Sequence, residues 1–268
     1  MKETLIRLLS GIVYVTILIL AVSFSQNSFL VLFGVFMIIG IVEFCNLINL
    51  NKTYSLMLGV ILFLLFSILE INKLTKFMLL FATLFVSVKL MLSLFKNQII
   101  KFDSNSKFVY LIGYLILPII ILTKIAISNY TSLFQPRIII GVFIIIWTND
   151  TFAYIVGKSI GKNKLFEMIS PKKTIEGFVG GLIFAVIAGI LIENFYIQKS
   201  MFFWIITALI IGVFGTIGDL IESKFKRQAA VKDSGKIMPG HGGILDRLDS
   251  IIFAAPFIYL FLQIIQFF

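Results

Sequence analysis

Long apolar runs recur along the whole chain, and short polar segments separate them. Most runs hold roughly 18 to 22 residues, enough for a helix to cross a hydrocarbon layer of about 30 Å. The pattern therefore predicts an all-α, polytopic integral membrane protein with about nine transmembrane helices. The predicted spans are 8–25, 28–48, 53–70, 75–95, 108–127, 137–157, 177–194, 201–221 and 249–267.

The polar segments are too short to form a separate soluble domain, so we expect a single membrane domain over residues 1–268. Within it, residues 1–130 supply N-terminal helices, and residues 131–268 carry the loops in which charged motifs gather. Pro118 lies inside the fifth predicted span and is expected to kink it, because proline has no N–H to donate.

Composition supports a membrane protein. Hydrophobic residues make up 59% of the chain and charged residues 13%, against about a quarter charged residues in soluble domains. The formal net charge of +10 is typical of cytoplasmic loops rich in lysine and arginine. No basic patch interleaved with aromatic residues suggests binding of single strands, so no nucleic acid partner is expected.

The lysine and arginine residues also predict an orientation. With the N-terminus in the cytoplasm, the inner segments carry 17 of these residues and the outer segments 5. This asymmetry favours a cytoplasmic N-terminus and an external C-terminus. Much of it comes from the loops 158–176 and 222–248, and without them the count is 6 to 5. The orientation therefore depends on two loops whose charges also suggest chemistry.

Several ionisable residues fall within or beside the apolar runs, where a charge is costly unless it faces a partner or a cavity. For two of them, Glu43 and Lys89, no surrounding motif suggests a function, and a structural role is favoured. The sequence leaves the role of Asp150 open. The five residues are Glu43, Lys89, Asp150, Asp219 and Asp249.

Carboxylates gather where the eighth span ends and the ninth begins. Asp246 and Asp249 are three residues apart and share a helix face, and a hairpin between the two spans would bring Asp219 near them. Carboxylates at one depth repel each other unless they share protons or bind a cation. Together with phosphate oxygens and water they make a Mg²⁺ site. The alternative is that each carboxylate pairs with a neighbouring lysine or arginine, as Asp246 would with Arg247.

Two basic segments flank these spans. "SPKKTIEG" covers Ser170–Gly177, and "KFKR" covers Lys224–Arg227. Either segment is also compatible with a simple membrane anchor, and Ser170 or Thr174 with a helix cap. Because "KFKR" leads directly into a polar loop beside the carboxylates, we expect it to bind phosphate.

The glycine-rich segment "PGHGG" lies between the basic segment and the aspartates. Gly240, Gly242 and Gly243 allow backbone conformations in which N–H groups line an anion, although no Walker pattern is present. The only histidine, His241, has no other histidine or cysteine nearby, so it indicates a hydrogen bond to phosphate or carboxylate and not a zinc site. These residues predict a Mg²⁺ and polyphosphate site at the cytoplasmic face that opens towards lipid.

The segments "SKFKR", "KDSG" and "PGHGGILDRLD", within residues 223–249, resemble the signature of the phosphatidate cytidylyltransferase family, the CDP-diacylglycerol synthases. "SPKKTIEG" and "NDTFAYIVGKSIGK" are also similar to family segments, so the resemblance covers about the C-terminal half. It implies a nucleotidyltransferase of phospholipid biosynthesis that makes CDP-diacylglycerol and pyrophosphate from CTP and phosphatidic acid with Mg²⁺. A second cation and a homodimer are left open.

The expected site follows from the motifs and the resemblance together. The resemblance implies metal binding by Asp219 and Asp246, with Asp249 in support, and phosphate contacts from the two basic segments. The expected location is the cytoplasmic membrane, with the site facing the cytoplasm. The expected catalytic residues are Lys226, Arg227, Asp246 and Asp249, and the expected substrate-binding residues are Ser170, Lys172, Lys173, Thr174, Ser223, Lys232, Gly240, His241, Gly242 and Arg247.

Two other classes of protein share some of these features. CDP-alcohol phosphotransferases also cluster aspartates, but their D-x₂-D-G-x₂-A-R pattern is absent here. A CTP-dependent lipid kinase is closer in chemistry to the expected cytidylyltransferase, and only an assay distinguishes the two. Secondary transporters hold charges near mid-membrane at the interfaces of repeats, whereas here the charges crowd towards one face and no repeat is evident.

Overall fold

The computed structural model of the chain describes residues 2–69, 71–96, 99–100, 102–127 and 133–265. Within these ranges, nine long helices and one short antiparallel hairpin make up the fold. The hairpin strands are β1 (Lys164–Phe166) and β2 (Ser170–Thr174). The helices are α1 (Lys2–Phe24), α2 (Gln26–Ile48), α3 (Lys52–Ile68), α4 (Lys73–Phe95), α5 (Asn105–Ile125), α6 (Pro136–Ile160), α7 (Ile175–Phe195), α8 (Met201–Gln228) and α9 (Leu245–Ile265).

The predicted all-α polytopic membrane protein is confirmed. Among the described residues, eight helices are long and apolar enough to cross a membrane, and α3 is a shorter apolar helix. Each predicted span corresponds to one of the nine helices; residue 70 of the third span and residues 266 and 267 of the ninth lie outside the described residues. The main extension is α8, which continues past its apolar part to Gln228 and carries the "KFKR" segment in its last turns.

Three helices contain a widened π segment, in which the hydrogen bond reaches five residues along the chain. One of them, Leu111–Ile116 in α5, directly precedes Leu117 and Pro118. Since proline cannot donate a backbone hydrogen bond, the regular ladder is interrupted where the sequence predicts a kink. The other two segments are Leu64–Ile68 in α3 and Ile211–Gly215 in α8.

The helices differ in how deeply they lie in the bundle. In α5 and α9, 78% and 61% of the apolar window is buried by other helices, whereas in α1 the figure is 17%. Helix α9 packs against α2, α4, α5 and α8, while α1 packs mainly against α2 and α6. Along most of α1, the apolar side chains are therefore available for contact with lipid.

An aromatic cluster fixes the charged end of α8. Phe225 is fully buried and packs edge-on against Phe44 of α2 at a centroid distance of 5.1 Å, and against Tyr114 of α5 at 5.2 Å. Its neighbours in the chain, Lys224 and Lys226, are buried as well. The aromatic anchor therefore holds the lysines of the "KFKR" segment inside the protein.

The charged motifs gather at one end of the bundle, which we call the site end. Here α1 and α9 begin, and α8 ends in the loop 229–244. The Ser10 hydroxyl donates to the carbonyl of Pro239 in this loop at 3.0 Å, and Lys224 donates to the Ser93 carbonyl of α4 at 2.7 Å. Sequence-distant helices thus meet the signature segment at the site end.

Candidate active site

Three carboxylates come together between α8 and α9. Asp219 and Glu222 are three residues apart on α8 and share a face, and Asp249 faces them from the first turns of α9. One oxygen from each lies within 4.8 Å of the others. We call these three residues the acidic group. The predicted contribution of Asp219 and Asp249 is present, while Glu222 was missed, although its spacing from Asp219 within "GDLIESKFKR" was a readable signal.

The cations around the acidic group balance only part of its charge. Lys173 Nζ lies 2.6 Å from Asp219 Oδ2, and Lys226 is shared between Glu222 and Asp246. Within the described part of the chain, no lysine or arginine forms an ion pair with Asp249. The site therefore carries more negative than positive charge.

The acidic group fits a small divalent cation. Glu222 is completely buried, and its Oε1 has no hydrogen-bond partner among the described residues. A buried, unpaired carboxylate oxygen beside two further carboxylates is costly unless a cation neutralises it. The donors are all oxygen atoms, which is the ligand type that Mg²⁺ prefers.

The Ser223 hydroxyl belongs to the same face of α8. It donates to Asp219 Oδ1 at 3.2 Å and so orients this carboxylate. Ser223 was expected among the substrate-binding residues, and the described contact is with the acidic group instead.

Asp246, which was expected to bind metal with Asp219, is not a member of the acidic group. Its Oδ1 accepts from Lys226 at 2.6 Å, and its Oδ2 accepts from the backbone N–H groups of Ser234 at 2.9 Å and Gly243 at 2.7 Å. The Ser234 hydroxyl also donates to Oδ2, at 2.8 Å. Asp246 thus holds the loop 229–244 against α9.

Glu43 supports the same loop from α2. Its carboxylate is buried and accepts from the backbone N–H groups of Ile244 at 3.1 Å and Leu245 at 2.8 Å, where α9 begins. The Ser234 hydroxyl donates to it at 3.2 Å. An anion at a helix N-terminus satisfies unpaired donors and the helix dipole. These contacts agree with the structural role favoured for Glu43, and the partners are far away in the sequence.

Glycine is required where the loop turns beside these carboxylates. Gly240 and Gly242 have φ angles of +77° and +90°, which other residues rarely adopt. A Cβ on Gly242 would also collide with the Asp246 carboxylate. The two glycines thus allow the loop to fold tightly against Asp246; their expected contact with substrate stays a prediction.

The loop also lines a cavity of about 510 Å³, which we call the basic cavity. Four of its side chains are lysine or arginine, and one is a carboxylate, Asp233. His241 lies in its wall, and burial, followed by the charges of Arg247 and Arg7, lowers the pKa of this histidine below its usual value. The lining residues are Arg7, Lys232, Asp233, Gly235, Lys236, Met238, Pro239, Gly240, His241, Gly242 and Arg247.

The "SPKK" segment forms strand β2. Lys173 reaches Asp219, while Lys172 is exposed. Thr174 is the N-cap of α7, where its hydroxyl accepts from the backbone N–H of Gly177 at 3.1 Å. Of the two residues considered as helix caps, Thr174 is a cap. Ser170 is the first residue of the strand and is half-buried. Of the predicted residues in this segment, Lys173 is the one that the structure brings to the acidic group.

The cations of the "KFKR" segment have separate surroundings. Lys224 donates to Ser93 of α4, and Lys226 lies between Glu222 and Asp246. Arg227 donates to the carbonyl of Val231 at 3.2 Å and contacts that of Ile169 in the hairpin. Arg227 therefore links the hairpin to the loop, with Lys226 at the centre of the carboxylates.

The remaining intramembrane charges also have partners. Asp150 accepts from the side chain of Asn149 at 3.2 Å and lies close enough to Asp219 and Lys173 to interact with them electrostatically. It therefore borders the acidic group. Lys89 lies 5.3 Å from the centre of the Tyr110 ring, and this cation–π contact agrees with the structural role favoured for it.

The fold and this site define an α-helical integral membrane protein with a charged site at one end of its helix bundle. The chain matches the model of the Cytidylyltransferase family over residues 5–265, and it belongs to that family.

Individual relatives match about half of the chain. It is 48% identical over 126 residues to the phosphatidate cytidylyltransferase of Staphylococcus haemolyticus, which covers 46% of this chain and 48% of the relative. It is 50% identical over 126 residues, with the same coverage, to that of Staphylococcus aureus strain COL. The match to the enzyme of Staphylococcus epidermidis strain RP62A is 45% over 127 residues, covering 47% and 49%. The chain thus spans about half the length of the curated relatives it matches.

Proposed function

We propose that this protein transfers the cytidylyl group of CTP to phosphatidic acid, which gives CDP-diacylglycerol and pyrophosphate. The observation that carries the proposal is the acidic group, with Lys173 and Lys226 beside it, at one end of a lipid-embedded helix bundle. Membership of the Cytidylyltransferase family supports nucleotidyl transfer. The relatives named above carry the name phosphatidate cytidylyltransferase, which supports the lipid acceptor.

We propose Mg²⁺ as the cofactor, held by Asp219 and Asp249 with Glu222. When bound, the ion would supply positive charge for the phosphates of CTP. This assignment retains Asp219 from the sequence-based expectation and replaces Asp246 by Glu222 and Asp249, because these two residues place an oxygen within 4.8 Å of Asp219 and of each other.

The reaction needs little acid–base chemistry from the chain. A phosphate oxygen of phosphatidic acid, already ionised at neutral pH, attacks the α-phosphorus of CTP. The new bond joins these two atoms, and the bond from the α-phosphorus to the bridging oxygen breaks, so that pyrophosphate leaves with the electron pair. The task of the protein is to bring two anions together and to stabilise developing negative charge.

Lys173 is placed for this task. Its ammonium group is bound to Asp219 and only half-buried, so it can exchange this partner for a phosphate oxygen. Lys172 is exposed beside it and adds positive charge at the entrance from water. Lys226 is enclosed between two carboxylates, and we propose that it keeps the acidic group folded at close spacing.

We also propose that the site end faces the cytoplasm, with the N-terminus inside and the C-terminus outside. CTP is a cytoplasmic nucleotide, and the loops richest in lysine and arginine belong to the site end.

A two-label assay tests the function. Purified protein is incubated with phosphatidic acid, Mg²⁺ and CTP labelled either at the α- or at the γ-phosphate. We expect the α-label in the lipid fraction and the γ-label in pyrophosphate. Lipid labelled from γ-labelled CTP would identify a lipid kinase instead, and absence of lipid label from both would reject the proposal.

A further inference from the structure

Helix α1, which lies outside the signature segments, contributes Arg7 to the lining of the basic cavity. The stem of Arg7 packs against Gly240 so closely that a Cβ there would lie 2.7 Å from Arg7 Cγ. One turn further on, Ser10 Oγ lies 2.8 Å from His241 Nδ1 and 3.0 Å from the Pro239 carbonyl. The start of α1 is thus fastened to the glycine-rich loop by specific contacts.

The cations of the basic cavity lack carboxylate partners within the described residues. In the part of the chain that the structure describes, Arg7, Lys232, Lys236 and Arg247 form no ion pair with a carboxylate. Asp233 is the one carboxylate among the residues that line the cavity. Four cations around one concave space favour a ligand with two or more negative charges, and arginine favours a phosphate, which its planar fork can bind in two places.

The surroundings of the cavity indicate a lipid phosphate. Arg7 lies at the start of α1, the least buried membrane helix, at the depth where the apolar span begins. Leu5, Leu8 and Leu9 beside it are more than half exposed. A phosphate bound by Arg7 would therefore have apolar surface next to it, on which acyl chains can lie.

We propose that Arg7 binds the phosphate monoester of phosphatidic acid in the basic cavity, while the nucleotide binds at the acidic group. The inference rests on the proposed function and assigns its two substrates to two separate groups of residues at the site end. Arg247 connects the two regions, since it lines the basic cavity and interacts electrostatically with Asp150 beside the acidic group. Arg7 is then a substrate-binding residue supplied by the N-terminal helix.

Steady-state kinetics of Arg7→Gln, Arg7→Lys and the control Arg137→Gln test this assignment. Arg137 lies at the N-terminus of α6, thirteen residues or about 20 Å along the helix from Asp150, so its replacement removes the same charge far from the site. We expect Arg7→Gln to raise the KM for dioctanoyl phosphatidic acid at least about tenfold and to leave the KM for CTP unchanged. The KM of Arg7→Lys for the lipid should lie between those of the wild type and Arg7→Gln, because lysine keeps the positive charge but lacks the planar guanidinium group.

Two kinetic outcomes would overturn the inference. A rise in the KM for CTP without a rise for the lipid would assign Arg7 to the nucleotide. Unchanged constants in Arg7→Gln would remove it from substrate binding altogether. The side chain is exposed, so the variant should fold, and thermal unfolding in detergent checks this.

A binding measurement separates this inference from the proposed function. His241 is the only histidine, so its imidazole gives one reporter signal in the NMR spectrum. Dioctanoyl phosphatidic acid should move this signal in the wild type and Arg137→Gln at concentrations that leave Arg7→Gln unaffected. That result supports the inference even if no CDP-diacylglycerol is formed. An equal response in Arg7→Gln, or an equal response of the wild type to inorganic phosphate, would contradict the lipid site.

Discussion

At the scale of single residues, the carboxylates of the signature divide into two kinds. Asp249 and Asp219 belong to the acidic group, whose negative charge is only partly balanced, whereas Asp246 lies outside this group and binds Lys226 and the backbone of the loop 229–244. The two aspartates of the "DRLD" sequence lie on the same helix turn and still have different surroundings. This difference can be tested by replacing each aspartate with asparagine, which keeps the shape and removes the charge.

We expect Asp249→Asn and Asp219→Asn each to lower the Mg²⁺-dependent turnover at least about a hundredfold, or about 3 kcal/mol of transition-state stabilisation. The double variant should be little worse than either single one, because both residues serve one ion. Turnover is measured with α-labelled CTP, and the control is Asp103→Asn, an exposed carboxylate between α4 and α5. Near-normal turnover in both variants would place the metal elsewhere.

Replacement of Asp246 and replacement of Asp249 should have different effects on stability. Asp246→Asn leaves Lys226 with one carboxylate fewer and weakens two backbone hydrogen bonds, so we expect it to lower the free energy of unfolding by roughly 1–3 kcal/mol. Asp249→Asn removes a repulsive charge and should not lower stability without Mg²⁺. Thermal unfolding in detergent with a chelator measures both. An Asp246→Asn protein as stable as the wild type would contradict the structural role.

The single histidine allows a prediction about pKa. The positive charges of Arg247 and Arg7 disfavour the imidazolium form, and with burial they hold the pKa of His241 below its usual value. Arg7→Gln removes one of these charges and should therefore raise the pKa of His241. An NMR titration of the imidazole measures the change, and Arg137→Gln should leave the value as in the wild type. A lowered pKa in Arg7→Gln would show that Arg7 does not face His241.

At the scale of elements, the start of α9 depends on α2. The Glu43 carboxylate accepts the backbone N–H groups of Ile244 and Leu245, which have no partner within their own helix. The same carboxylate would collide with a Cβ on Gly235 or Gly243, so the loop passes close to it on two sides. The position of Asp246 and Asp249 is thus set by a helix far away in the sequence.

Glu43→Gln should reduce stability, although the substitution only replaces a buried charged group by a neutral one of similar shape. An amide offers one oxygen where the carboxylate offers two, and its NH₂ group would face backbone donors. We expect a loss of roughly 1–3 kcal/mol in the free energy of unfolding, with a smaller effect on turnover than in Asp249→Asn. Thermal unfolding measures it, and Glu167→Gln in the exposed hairpin is the control. Equal stability of the two variants would contradict the capping role.

At the scale of the whole molecule, the nine helices alternate in direction. As a result, all the signature segments reach the site end. The proposed orientation puts this end in the cytoplasm. Cys45 is the only cysteine and is buried, so a protein with Cys45→Ala has no background for thiol labelling. Met168 in the hairpin turn is 79% exposed, and Gln198 between α7 and α8 is exposed at the other end.

In intact cells, an impermeant thiol reagent should label Gln198→Cys and spare Met168→Cys, each combined with Cys45→Ala. After the membrane is opened, both should react, which controls for accessibility. The reverse pattern in intact cells would overturn the orientation, and with it the access of CTP to the acidic group from the cytoplasm.

The amino-acid sequence by itself determined the class of fold. Apolar runs long enough to cross a bilayer leave few alternatives to helices, because backbone groups in lipid must bond within their own segment. The motifs also identified the loops of the site and most of its charges, since Asp219, Lys173, Lys226 and Asp249 lie in recognisable local patterns.

Only the tertiary structure decided how these charges are paired. The spacing of Asp246 and Asp249 puts them on one helix face, but the loop donors and Lys226 that occupy Asp246 come from other segments. The same holds for Glu43, Arg7 and Ser10, which reach the loop from more than 190 positions away in the chain. Local periodicity carries no information about such distant partners, because they are set by how the helices pack and not by the order of residues along each helix.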